Sequence, residues 1–144
     1  MLPKLGQPGP AFLKDVPGAP EAGTPLCRID EIPENGAKVF SFGSEEDPFE
    51  FFVQRIGEAV YAYRNLCPHV ALPLDWRPAV FMDPQRKFFL CANHGAVFRP
   101  EDGYCFAGPC RGQHLTAIAI DVKDGVVTVA GETGQKALKR SPPP

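Results

Sequence analysis

The sequence predicts an all-β domain of small antiparallel sheets, and three observations point there. Short runs rich in aromatic and branched residues recur along the chain, each bounded by Gly, Pro, Asn or Asp. Within several runs the apolar residues alternate with period two, as on a pleated strand. No helical period and no internal repeat appear between residues 24 and 131. Seventeen prolines, fourteen glycines and eleven phenylalanines among 144 residues suit many turns and β-rich packing.

The elements follow in order. Residues 1–23 hold five prolines and four glycines around scattered apolar residues such as Phe12, Leu13 and Val16, and read as an extended tail. Leu26 to Ile32, Ala37 to Gly43, Phe49 to Ile56 and Ala59 to Asn65 are four strand candidates. In the third, Phe49, Phe51 and Val53 share one face while Glu50, Phe52 and Gln54 share the other, the pattern of a half-buried strand. Gly57-Glu58 reads as the hairpin turn that follows. Lys87 to Cys91 and Ala96 to Arg99 supply a fifth and a short sixth strand, turned at Asp102-Gly103. Thr116, Ile118, Ile120 and Val122 alternate, Asp124-Gly125 turns tightly, and Val126 to Val129 returns. Residues 132–144 are polar and close on Ser141-Pro142-Pro143-Pro144, a second tail in which Gln135 to Arg140 could form one helical turn. The folded domain therefore spans 24–131.

Composition narrows the function. The formal net charge is −2, without the basic excess a nucleic-acid binder needs. No apolar run approaches the roughly 18–20 residues that span a bilayer. The start of the chain lacks an apolar signal core, and five cysteines are an odd number for a disulfide framework, so a reducing cytoplasm is expected.

Two segments carry the chemistry: Asn65-Leu66-Cys67-Pro68-His69-Val70-Ala71-Leu72-Pro73-Leu74-Asp75 and Phe89-Leu90-Cys91-Ala92-Asn93-His94-Gly95-Ala96. Each places one Cys and one His where an expected strand enters a loop, a common location for metal ligands. A Cys-x-His pair hardly wraps a single tetrahedral ion, since only one residue turns the chain. Two metals relax that demand, because each loop can give its Cys to one and its His to the other.

Cys-x-His followed by Cys-x-x-His-Gly resembles the signature of Rieske-type [2Fe–2S] proteins, in which two histidines replace two cysteines on one iron. The likeness covers about residues 24–131, runs closest to the soluble Rieske ferredoxins, and takes in a third segment, Asp102 to Cys110, whose Gly108-Pro109 matches a loop that shields the cluster in that family. The resemblance implies a cluster-binding subdomain of two loops. Cys67 and Cys91 would hold the inner iron, and His69 and His94 the outer, more exposed one. A disulfide of the respiratory Rieske proteins is missing, since Leu72 and Asn93 stand at its positions, and Ala96 replaces a hydroxyl that donates to a sulfide there. A potential toward the lower end of the Rieske range is expected. Twenty-one residues separate His69 from Cys91, and the insertion around Trp76 to Pro84 reads as a longer surface loop.

The remaining candidates read first as packing. Cys27, Phe88, Phe89 and Phe98 fit a core, and His114 a surface or satisfied position, with a proton relay as its alternative. Cys105 and Cys110 fit small buried residues of the covering loop, with redox activity, metal binding or a disulfide as alternatives. Trp76 could join Pro68, Val70 and Leu72 in a docking patch, or shield the cluster. Counting excludes more: beyond His69 and His94 only His114 remains for a mononuclear iron, and no G-x-G-x-x-G follows a strand. The resemblance thus implies a one-electron carrier taking electrons from a reductase to an oxygenase or other terminal oxidoreductase. The alternatives are a bound electron-transfer subunit of a larger oxidoreductase, as in some nitrite reductases, a cluster-based sensor, or a zinc-binding interaction module.

Overall fold

A computed structural model describes residues 20–46, 48–68, 73–75, 77–91 and 95–133. Most of the two expected tails, and the helical turn expected at Gln135 to Arg140, lie outside the described residues. The strands are β1 (Pro25–Arg28), β2 (Ala37–Gly43), β3 (Pro48–Ile56), β4 (Ala59–Arg64), β5 (Phe89–Cys91), β6 (Ala96–Phe98), β7 (Cys105–Ala107), β8 (Ile118–Lys123) and β9 (Val126–Thr133). They form three antiparallel sheets ordered β1-β9-β8, β2-β3-β4 and β5-β6-β7, the all-β architecture the sequence predicts. No helix among the described residues is long and apolar enough to cross a membrane.

The β2-β3-β4 sheet is the middle layer, and alternation explains why. Phe49, Phe51, Val53, Val60 and Ala62 pack with Cys27, Ile118, Ile120, Val127 and Val129 of the β1-β9-β8 sheet. Phe52, Ala59, Tyr61 and Tyr63 point the other way and pack with Phe89, Cys91, Ala96 and Phe98 of the β5-β6-β7 sheet. The half-buried reading of β3 is therefore corrected: Phe52 and Gln54 on its second face are as buried as Phe51 and Val53 on the first. A period-two pattern separates two faces but does not require that either be wet.

Turn chemistry agrees with the residues. The two-residue turn Gly57-Glu58 joins the paired ends Ile56 and Ala59. Asp124 and Gly125 take φ values of 52° and 78°, the left-handed pair a type I′ hairpin demands. The first strand is shorter than expected, because Ile29–Glu31 forms a single 3-10 turn. There the Glu31 carboxylate accepts the Arg28 N–H at 2.8 Å and diverts the chain.

The insertion after the first loop is not simply a surface loop. Phe81 and Met82 are buried, and the Phe81 ring stacks on Phe52 at 3.8 Å and 10°. Leu90 N–H donates to the Phe81 carbonyl and Asp83 N–H to the Phe88 carbonyl, each at 2.8 Å, so this segment lies along β5 like an added edge. The extra residues fill the core under the second sheet.

Candidate metal centre

Two strand ends and one covering segment surround the candidate site. Cys67 follows β4, and Cys91 is the last residue of β5; both are buried. Both enter one apolar cluster with Phe52, Phe89, Phe98, Cys105 and Cys110. Two chain segments from different sheets thus bring thiols into the same interior.

A side-chain clamp closes the neck of the first loop. Asn65 is buried, its N–H donating to the Glu50 carbonyl at 2.8 Å. Its Oδ1 accepts the Leu74 N–H at 2.7 Å, while its Nδ2 donates to Glu50 Oε1 at 2.7 Å and Asp75 Oδ1 at 3.2 Å. Asp75 Oδ2 accepts the Ala79 N–H at 3.2 Å, extending the clamp into the insertion. A polar residue ending an apolar strand is the one sign of this role in the sequence.

The second loop is held by its hairpin. Cys91 and Ala96 are paired where β5 and β6 end, and Gly95 N–H donates to the Cys91 carbonyl at 3.0 Å. The covering segment presses on this end. Gly108 has φ 97°, and a Cβ there would stand 2.6 Å from the Ala96 Cα, so only glycine permits the approach. Part of the covering segment is strand rather than loop: β7 pairs with β6 through Val97–Ala107 and Phe98–Cys105.

Cys105 and Cys110 are buried, as expected for packing residues, but they are also neighbours. Cys110 Sγ donates to Cys105 Sγ at 3.1 Å, and Cys105 Sγ to the Ala107 carbonyl at 3.1 Å. Burial pushes the Cys110 thiol far above its ordinary range, and the adjoining Cys105 and Cys67 push it further. The covering segment thus meets Cys67 of the first loop as well as Ala96 of the second. None of the five cysteines forms a disulfide.

His69 and His94 lie outside the described residues, as do Val70, Leu72, Trp76 and Asn93. Among the described residues no three of His, Cys, Asp and Glu gather so as to hold a metal ion. Cys27, Phe89 and Phe98 are core residues, whereas Phe88 is partly buried with its ring edge-on to Phe106 at 4.9 Å. His114 packs against the Tyr104 ring at 5.3 Å. Leu66, beside Cys67, is an exposed large apolar residue.

Known proteins resemble this chain in sequence or in fold. The sequence model of the Rieske [2Fe-2S] domain matches residues 23–129. The fold is similar to the ferredoxin of carbazole 1,9a-dioxygenase from Nocardioides aromaticivorans IC177, with 27% identity over 75% of this chain and 98% of that one, at a TM-score of 0.60. It is also similar to a chain in the complex of reduced oxygenase and oxidized ferredoxin in carbazole 1,9a-dioxygenase, at 23% identity, 78% and 96% coverage and TM-score 0.62. The Sphingomonas yanoikuyae B1 ferredoxin matches at 19% identity, 75% and 97% coverage and TM-score 0.56. None of the curated proteins matches this chain in sequence. A family match over most of the chain, on three small sheets with a thiol at each of two strand ends, means that the protein belongs to the Rieske [2Fe-2S] domain family.

Proposed function

We propose that this chain is a one-electron carrier whose [2Fe–2S] cluster is held by Cys67, His69, Cys91 and His94. It would take electrons from a reductase and pass them to an oxygenase or another terminal oxidoreductase. One observation carries the reading: Cys67 and Cys91 enter a single apolar cluster from two different sheets, in a chain of this family. The donor set fits such a group, because two buried thiols become thiolate ligands, while the spacing Cys-x-His and Cys-x-x-His suits two metals better than one. When bound, the cluster supplies reversible single-electron chemistry.

The chain's own residues set the conditions. The aromatic floor of Phe52, Phe89 and Phe98 excludes water from the thiol side, and the Asn65 clamp and the Cys91–Ala96 pair fix where each loop begins. Neutral imidazoles in place of two thiolates leave less negative charge around the irons, which makes electron uptake easier than in all-cysteine ferredoxins. On this reading the histidine side is the exit. The ferredoxins resembled here include one of a dioxygenase and one in complex with its oxygenase, which supports an oxygenase as acceptor through a small transient interface. An odd number of cysteines fits the cytoplasm as the compartment of this chain.

The test is an anaerobic titration of purified protein, then mixing with an oxidised Rieske oxygenase. Uptake of one electron per chain, followed by reoxidation on mixing, is the expected result. A colourless protein carrying one zinc and no acid-labile sulfide would overturn it. Co-purification with a large subunit would replace the free carrier by a bound one.

A further inference from the structure

The covering segment holds a second chemical feature. Cys105 and Cys110 frame the run Phe106-Ala107-Gly108-Pro109, and their sulfurs stand 3.1 Å apart. That is roughly 1 Å more than the ~2.05 Å of a disulfide bond. Backbone bonds brace both residues: Cys105 N–H donates to the Gln113 carbonyl and Gly112 N–H to the Cys105 carbonyl, each at 2.8 Å. Gln113 N–H donates to the Cys110 carbonyl at 2.9 Å. The loop therefore holds two thiols face to face with little rearrangement left before a bond.

We propose that Cys105 and Cys110 form a reversible dithiol–disulfide pair, oxidised by small hydroperoxides. The Cys105 sulfur, which accepts the Cys110 S–H, attacks hydrogen peroxide as its thiolate; an S–O bond forms, the O–O bond breaks, and the departing hydroxide takes up the thiol proton and leaves as water. The second sulfur then attacks this sulfenic acid, an S–S bond forms, the S–O bond breaks, and a second water leaves. Two thiols lose two electrons and two protons, and the peroxide is reduced to two waters. Both sulfurs are buried, but the turn between them, Gly108-Pro109, is exposed. Access thus favours an oxidant of peroxide size over a bulky disulfide such as glutathione disulfide. Cys110 also adjoins Cys67, so the bridge would alter the surroundings of a cluster ligand; this consequence alone rests on the proposed function.

The test treats full-length holoprotein with hydrogen peroxide, blocks remaining thiols with one alkylating agent under acid denaturation, then reduces and labels with a second. Mass spectrometry should find the second label on Cys105 and Cys110 together, and the first on Cys27. Dithiothreitol before blocking should restore the first label to both. In Cys105→Ser the second label on Cys110 should be lost. First label on both residues after peroxide, or bridges from either to Cys67 or Cys91 instead, would overturn the proposal. Protein that lacks the cluster yet bridges would sink the proposed function alone, and cluster-bearing protein that does not bridge would sink the pair alone.

Discussion

Asn65 accepts the backbone N–H of Leu74 at 2.7 Å, nine residues ahead, and so closes the loop that carries Cys67. Removing that side chain strands a buried N–H and releases two carboxylates, Glu50 and Asp75, from their shared donor. Asn65→Ala should cost about 1–3 kcal/mol in denaturant unfolding. Asn65→Asp keeps an acceptor but sets a third carboxylate against the other two, so it should be no better. A loss below about 0.5 kcal/mol for the alanine variant, the range of ordinary surface changes, would remove the clamp from the account.

Phe81 sits in the core face to face with Phe52. Phe81→Ala should destabilise by about 3–5 kcal/mol, the cost of a large cavity. A surface loop would show almost no change, so thermal unfolding of this one variant decides between the two.

The Tyr63 hydroxyl donates to the Pro100 carbonyl at 2.6 Å inside the core. Burial, then the charges of Asp102, Tyr61 and Glu101, hold this phenol well above its usual range. The folded state keeps the proton where the unfolded chain releases it near pH 10. This contribution is therefore complete below that pH and is lost as pH rises beyond it. Tyr63→Phe should cost about 1–3 kcal/mol at pH 7 by leaving the carbonyl unpartnered. The gap between wild type and variant should narrow above about pH 10; a gap that widens there contradicts the assignment.

Much of this was legible because the information is local. Cys67-Pro68-His69 and Cys91-Ala92-Asn93-His94 are recognisable by spacing, and Asp124-Gly125 announces its turn. What escaped depends on distant partners. Phe81 lies among Pro78, Asp83 and Pro84, which look like surface, and only its pairing with Leu90 and its stack on Phe52 carry it inside. The second buried face of β3 depends on a sheet whose strands begin more than thirty residues later. The Asn65 clamp is a side chain reaching across a loop, and the closeness of Cys105 to Cys110 depends on how β7 pairs. Apart from the polar Asn65 at the end of an apolar strand, none of these leaves a pattern in its own segment.

Ala96, whose backbone lies against Gly108 of the covering segment, stands where the resemblance puts a hydroxyl in respiratory Rieske proteins. Fewer donors to the sulfurs leave the reduced charge less stabilised. Redox titration near pH 7 should place the midpoint below roughly +100 mV, in the lower part of a range of roughly −150 to +300 mV. Ala96→Ser should raise it, and a wild-type midpoint above that mark contradicts the reasoning.

The proposed ligand set puts sulfur on one iron and imidazole on its twin. Its most direct test is electron–nuclear double resonance on the reduced protein labelled with nitrogen-15 in histidine. Strong couplings from two histidine nitrogens are expected, with His69→Ala and His94→Ala each abolishing that pair. A reduced cluster with no histidine coupling would contradict it.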